Sequence, residues 1–304
     1  MNGKIDTSVK IGKLILKNPV IPASGTFGNG LEFGEFYDVN KLGAITVKGI
    51  TPLKQKGNAL PRIVETASGM LNSVGLENPG IEEFVKTKLP QLSSINIPLI
   101  VNISAHSVED YAKMASRLQE AGVEAVEINV SCPNVSKGGI QFGTDPEMVY
   151  KVTDAVKKVF LGTVITKLSP NVTDITIMAK AVEEAGADAV SLINTLKGMA
   201  IDHRTGKAIL GNTIGGLSGP AIKPVALRMV YEVAKTVDIP IIGMGGVRSA
   251  EDAIEFIMAG ATGVSVGAAN FVDPLCCLNI IDGIEKYMID RAISTLSEIR
   301  GCVK

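Results

Sequence analysis

The sequence predicts an α/β fold built as a single (β/α)8 TIM barrel, and three observations predict it. Eight short apolar runs alternate with amphipathic helical stretches along the chain. The core-forming residues are aliphatic: of 304 residues 46% are hydrophobic, only 4% aromatic, and 32 are glycine. That balance suits a parallel sheet wrapped by helices and joined by tight turns. Three helical stretches end in Ala-Gly (Ala121-Gly122, Ala185-Gly186 and Ala259-Gly260), where glycine gives the left-handed cap that turns the chain into the next strand. A doubly wound sheet is the competing architecture, but eight βα units in a chain of this length favour the barrel.

Residues 1–17 read as a hairpin-like lead-in covering one end of the barrel. Strands are expected at 19–24, 44–49, 98–104, 125–132, 164–169, 189–195, 240–245 and 263–267. Amphipathic helices are expected near 81–89, 108–121, 146–160, 174–185, 221–237, 250–259 and 278–289, with Ser107, Asp145, Thr173 and Ser249 as N-caps. Segments 50–78 and 197–219, after the second and sixth strands, exceed ordinary loop length. Such excursions are more often functional lids than slack. No linker, low-complexity tract or second domain interrupts the pattern, so residues 1–304 read as one domain.

Bulk properties narrow the function. A formal charge of −1 leaves no basic footprint for nucleic acid. No apolar run approaches the ~18 residues of a membrane span, and Met1-Asn2-Gly3-Lys4-Ile5-Asp6 does not read as a signal peptide or amphipathic anchor. A cytoplasmic protein is expected. The cysteines, Cys132, Cys276, Cys277 and Cys302, form no CxxC pair and no zinc-finger spacing. With only His106 and His203 besides, neither a metal nor an iron–sulfur site of the chain's own is expected.

Barrel active sites lie at the C-terminal ends of the strands. Those ends carry Ser24 and Thr26, Lys48, Asn102, Asn129 with Cys132, Lys167 with Ser169, Asn194 with Thr195, then Gly245-Gly246 and Gly267. A buried polar group without a partner costs about 1–3 kcal/mol. One asparagine alone would be a satisfied core amide, but a whole ring of such groups calls for a polar ligand.

Cys132 ends the run Ile128-Asn129-Val130-Ser131 and is followed by Pro133, Asn134 and the glycines Gly138, Gly139 and Gly143. A thiol titrating near ~8.5 can remove a moderately acidic proton once a mobile loop excludes water. A buried structural cysteine is the commoner fate of this residue type, yet proline, asparagine and glycine here are loop chemistry. Cys276, Cys277 and Cys302 are read as structural. The histidines are expected to do no chemistry, although His203 lies in a long excursion and could approach the mouth.

Glycines after the seventh strand (Gly243, Gly245, Gly246) and the eighth (Gly267, before Ala268) suit phosphate, because backbone N–H groups approach it closely only where Cβ is absent. A helix start at Ser249 would add its dipole. The tract Gly215-Gly216-Leu217-Ser218-Gly219-Pro220 could open the preceding helix and close over the same group. The bland alternative is a pair of tight turns. Lys167, inside an apolar strand, could form a Schiff base, neutralise charge on a cofactor such as a reduced flavin, or simply pair with Glu127. Lys48 suits a carboxylate or a cofactor edge.

These residues are where the chain resembles the dihydroorotate dehydrogenases. The matching motifs run in order: Ala23-Ser24-Gly25-Thr26-Phe27-Gly28, Lys48-Gly49, Asn72-Ser73-Val74-Gly75-Leu76-Glu77-Asn78, Asn129-Val130-Ser131-Cys132-Pro133-Asn134, Lys167-Leu168-Ser169-Pro170-Asn171, Ile193-Asn194-Thr195, Gly219-Pro220 and Gly245-Gly246. Cysteine at 132, with the form Cys-Pro-Asn-Val-Ser-Lys-Gly-Gly, is similar to class 1B, the NAD-linked catalytic subunit. The resemblance implies FMN-dependent oxidation of (S)-dihydroorotate to orotate in pyrimidine (UMP) biosynthesis. Cys132 would take the C5 proton while C6 gives hydride to the flavin. Asn72, Asn129, Asn134, Asn194 and Thr195 would bind the pyrimidine, with Lys48 near substrate and flavin, and Met70, Ser73, Val74, Gly75 and Leu76 lining that pocket. Ser24, Lys48, Gly49, Asn102, Asn129, Lys167, Ile193, Gly219, Gly245, Gly246, Gly267 and Ala268 would hold FMN. The resemblance also implies a homodimer core joined to a subunit carrying FAD and [2Fe–2S], a heterotetramer passing electrons to NAD. Alternatives are a fumarate-linked class 1A enzyme, a dihydropyrimidine dehydrogenase-like enzyme and, more remotely, an aldolase using Lys167.

Overall fold

A computed structural model describes residues 5–131 and 142–304. The lead-in is a hairpin of β1 (Val9–Ile11) and β2 (Leu14–Leu16), paired antiparallel around Gly12. Gly12 sits at φ 57°, and a Cβ there would lie 2.8 Å from the Cβ of Asp188, so the turn presses against the start of later strands. The remaining strands are β3 (Val20–Pro22), β4 (Ile45–Ile50), β5 (Ile63–Thr66), β6 (Gly69–Asn72), β7 (Leu99–Ile103), β8 (Ala125–Asn129), β9 (Thr163–Lys167) and β10 (Ala189–Leu192). Then follow β11 (Leu196–Met199), β12 (Ile201–Asp202), β13 (Lys207–Ala208), β14 (Ile214–Ser218), β15 (Ile241–Met244) and β16 (Gly263–Val266).

Eight of these form one parallel sheet in the order β3-β16-β15-β10-β9-β8-β7-β4. They are the eight strands expected from the sequence, with ends shifted by a few residues. The seam between β3 and β4 closes through the Gly43 N–H, which donates to the Val20 carbonyl at 3.0 Å. The sheet is therefore a (β/α)8 barrel. Inside its N-terminal end, Ile11, Leu14 and Leu16 of the hairpin pack with Ile21, Ala44, Ile100, Ala125, Ile165, Ala189 and Ile242. The hairpin plugs the bottom, as anticipated, and leaves the C-terminal end to polar side chains.

The helices lie outside. α1 (Ile81–Glu83) runs at once into wider π-type turns (Phe84–Lys88) and a 3-10 segment (Leu89–Ser94) that contains Pro90. The regular helix expected over 81–89 is thus a single turn followed by irregular ones. Regular helices follow in α2 (Val108–Glu120), α3 (Pro146–Lys157), α4 (Ile175–Glu184), α5 (Lys223–Ala234) and α6 (Ala250–Met258), then a short α7 (Ala269–Val272) and α8 (Cys276–Asp290). Ser107, Asp145 and Ser249 cap α2, α3 and α6 as expected. For α4 the cap is Asp174 rather than Thr173, its carboxylate accepting from the Thr176 N–H at 2.9 Å. Gly122, Gly186 and Gly260 all have positive φ where α2, α4 and α6 end.

Both long excursions contribute to one antiparallel sheet, ordered β11-β14-β6-β5. Asn72 in β6 faces Gly216 in β14, and Leu196 in β11 faces Leu217. Of the tract 215–220 expected to open a helix, residues 215–218 therefore belong to a strand of this sheet. Only Gly219, next along, turns the chain into the 3-10 segment Pro220–Ile222 before α5.

Candidate active site

A cavity of about 570 Å³ opens at the C-terminal ends of the barrel strands. The strand tips supply Ser24, Lys48, Gly49, Asn102, Asn129 and Lys167. The turns after β10, β15 and β16 add Ile193, Asn194 and Thr195, Gly245 and Gly246, and Gly267 and Ala268. Met70 and Asn72 of β6, the loop Ser73, Val74, Gly75 and Leu76, and Gly219 line it from the accessory sheet. Every described residue that the resemblance assigns to substrate or cofactor thus lines one cavity. Gly243, also read as suiting phosphate, does not: it lies inside β15, where a Cβ would stand 2.7 Å from the Phe256 ring. Cys132 and Asn134, with Gly138 and Gly139, lie outside the described residues. The strand that leads to them does reach the cavity, through Asn129, Val130 and Ser131. His106 and His203 are exposed and away from its lining.

Lys167 is almost fully buried, and its Nζ lies 3.6 Å from Glu127 Oε1. Glu127 is fixed from two further sides, accepting from Asn102 Nδ2 at 2.6 Å and from Ser191 Oγ at 2.9 Å. A buried ion pair holds only when its remaining lone pairs are satisfied, and this network does that. Of the three readings of Lys167, the ion pair with Glu127 is therefore realised in the fold. Asn102 spends its Nδ2 on Glu127, and its Oδ1 is buried with no partner among the described residues. A Cβ on Gly49 would stand 2.8 Å from that oxygen, so the glycine keeps the carbonyl uncovered.

Lys48 differs from Lys167. Burial pushes its ammonium below the ordinary lysine range, Glu77 offsets part of this, and Arg62 works with burial. Arg62 and Glu77 pair with each other, and no described side chain bonds Lys48. The asparagines form a linked set. Asn194 Nδ2 donates to Asn129 Oδ1 at 3.2 Å, the same oxygen accepts the Ser131 N–H, and Asn194 Oδ1 accepts the Thr195 N–H. With its oxygen occupied, Asn129 presents its NH2 as a donor. Asn72 Nδ2 reaches the Gly216 carbonyl at 3.4 Å, leaving its oxygen as an acceptor. Donors and acceptors on neighbouring side chains suit the edge of a flat polar ring.

Two glycine turns close the opposite end. Gly245 and Gly246 have φ of 124° and 79°, so the backbone itself demands glycine there. Gly25 and Gly267 do not have positive φ, and a Cβ on either would meet nothing closer than Ala23 at 4.0 Å. Protein packing gives no reason for glycine at these two lining positions, whereas close approach of a ligand does. The helix start at Ser249 does not join them: it is not part of the lining, and Asp252 accepts the Arg248 and Ser249 N–H groups.

Asn58 and Asn171, for which the sequence suggested no role, also line the cavity. Asn58 Nδ2 donates to the Ser73 carbonyl at 2.9 Å. Asn171 donates to Ser169 Oγ and the Thr195 carbonyl and accepts the Lys197 N–H. The proline-asparagine step after β9 was the available signal for Asn171.

Fold and site together define a TIM-barrel enzyme whose cavity suits a planar polar ligand at one end and an anionic group at the other. A profile described as dihydroorotate dehydrogenase matches residues 7–288. The chain is 56% identical over 298 residues to the dihydroorotate dehydrogenase B (NAD(+)) catalytic subunit of Alkaliphilus metalliredigens, covering 98% of this chain and 99% of that one. It is 54% identical to the protein of the same name from Thermoanaerobacter pseudethanolicus, over 99% of both chains. The Lachnoclostridium phytofermentans catalytic subunit is 52% identical, over 99% of this chain and 100% of its own. The chain belongs to the dihydroorotate dehydrogenase family.

Proposed function

We propose that this chain is the FMN-dependent catalytic subunit of an NAD-linked dihydroorotate dehydrogenase, oxidising (S)-dihydroorotate to orotate for pyrimidine biosynthesis in the cytoplasm. One observation carries the reading: every described contact that the resemblance implies lines a single cavity, in a chain matching such a subunit over 98% of its length. The residues present also fit a flavin mononucleotide. Asn102 offers a buried oxygen with no partner among the described residues, its amide donates to the Glu127 that pairs with Lys167, and Gly25 and Gly267 leave room for close approach. No helix of the described residues is long and apolar enough to cross a membrane.

FMN, when bound, supplies the two-electron acceptor for hydride leaving C6 of the substrate. Asn72, Asn129, Asn194 and Asn134 hold the pyrimidine edge, and Thr195 holds its neighbour Asn194 in register. Lys48, which no described side chain bonds, offers its ammonium to the substrate carboxylate and the adjoining cofactor edge. Cys132 Sγ takes the C5 proton, so two neighbouring carbons lose proton and hydride in one geometry. Electrons leave for NAD through a partner subunit carrying FAD and [2Fe–2S], attached to a homodimer of this chain. The B-type names of the relatives favour NAD over fumarate as acceptor. The ion pair at Lys167 weighs against a Schiff-base aldolase, because the nucleophile would first have to leave Glu127.

Three measurements test this. The native chain is expected to purify with FMN and to turn over dihydroorotate far faster than dihydrouracil, which lacks the carboxylate for Lys48. Cys132→Ser is expected to keep FMN and orotate binding but lose about 10²–10⁴-fold in turnover near neutral pH, recovering partly as pH rises. Unchanged rates in that variant remove Cys132 from the mechanism.

A further inference from the structure

Cys276 and Cys277, at the start of α8, are buried and belong to no part of the cavity lining. Both sulfurs lie 3.3 Å from one atom, Oδ1 of Asn270 in α7, which is itself 3% exposed. The other end of that amide faces the site. Asn270 Nδ2 donates to the Val266 carbonyl at 2.9 Å and to Thr26 Oγ1 at 3.1 Å. The Val266 carbonyl also accepts the Ala23 N–H at 2.8 Å, and the Asn270 N–H donates to the Gly267 carbonyl at 3.0 Å. One buried side chain therefore ties the tip of β16 to the turn after β3. Ala23, Thr26, Gly267 and Ala268, which those two turns contain, line the cavity.

Orientation decides whether this works. Turned over, the amide would set its oxygen against the Val266 carbonyl oxygen, two acceptors with no proton between them. The two thiols are the donors that Oδ1 finds in its native orientation, and they leave both Nδ2 protons for the site. We propose that Cys276 and Cys277 position the cofactor end of the cavity through Asn270, holding the Ala23–Thr26 and Gly267–Ala268 turns at the spacing that FMN requires. This rests on the functional reading above. It assigns the vicinal thiols a role beyond filling the core.

The test compares FMN dissociation constants of the full chain, measured by flavin fluorescence, for the native protein, the pair Cys276→Ala/Cys277→Ala and the pair Cys276→Ser/Cys277→Ser. The alanine pair removes both donors at a distance from the ligand and is expected to weaken FMN binding roughly tenfold or more. The serine pair restores O–H donors and is expected to recover most of that loss. An alanine pair that binds FMN as tightly as the native chain would overturn the proposal. So would a serine pair as weak as the alanine pair, since that result makes side-chain volume the cause. Should the alanine pair fail to fold, Thr26→Val cuts the same relay at the cavity end. It is expected to weaken FMN binding while Thr26→Ser preserves it, and equal binding by both would overturn the proposal. A native chain that binds no FMN would instead overturn the functional reading and this inference with it.

Discussion

Lys48 and Lys167 show how far neighbours decide what one charge does. Lys167 has Glu127 beside it, and removing that partner strands a buried ammonium. Glu127→Ala is therefore expected to destabilise the chain by about 3–5 kcal/mol, measured by urea unfolding. Lys48 has no described partner, and burial holds its pKa below that of the unfolded chain. Between those two pKa values the unfolded state binds more protons, so stability of the ligand-free chain rises with pH across that window. Below the window both states are charged and the whole cost of burial is carried. A bound carboxylate reverses the balance by favouring the ammonium, so orotate affinity is expected to fall as pH rises through the titration of Lys48. Lys48→Met is expected to raise the melting temperature of the ligand-free chain. It should also weaken orotate binding about 10–100-fold, the loss of a charge-assisted hydrogen bond worth about 1.5–3 kcal/mol. Orotate binding equal to that of the native chain would take Lys48 out of the site.

Among the elements, the barrel was legible because its signals are local. Each barrel strand is an apolar run, α2, α3, α4 and α6 carry side-chain caps, and α2, α4 and α6 end at a glycine. Thr173 and Asp174 are both good capping types, and only the fold reveals which one reaches the helix. The accessory sheet was not legible. Its strand β14 reads Ile-Gly-Gly-Leu-Ser, which is turn composition, and its partner Asn72 lies 144 residues from Gly216. Asn58 was missed because its partner is the Ser73 carbonyl, a backbone group that side-chain patterns do not reveal. The glycine turns permit a comparison. A Cβ at Gly246 would lie 2.7 Å from Lys223 Cβ and 2.9 Å from the Gly219 carbonyl oxygen, at φ +79°. Gly246→Ala is expected to cost about 1–3 kcal/mol of stability and to weaken FMN binding as well. Gly267→Ala brings its Cβ no closer than 4.0 Å to any described residue, so its melting temperature is expected to stay unchanged while FMN affinity drops. Equal FMN affinity in the Gly267 variant would return that glycine to the role of a simple turn.

Across the whole molecule, the two ends of the barrel divide the work. Apolar packing of the hairpin seals the bottom, and the polar groups that such packing would penalise collect at the top, where a ligand can satisfy them. The relatives are named catalytic subunits, which implies a partner subunit, and the proposed function sends electrons through it. NAD reduction is accordingly expected only when an iron–sulfur flavoprotein is added to the purified chain, and NADH formation by this chain alone would contradict that assignment. Under the proposed function, dihydroorotate is oxidised in the cavity before any electron departs. Mixing the FMN-loaded chain anaerobically with (S)-dihydroorotate, and following flavin absorbance together with orotate, tests it most directly. Rapid bleaching of the flavin is expected, with one orotate formed per flavin reduced; a folded, flavin-loaded chain that stays oxidised in saturating dihydroorotate would overturn the proposed function.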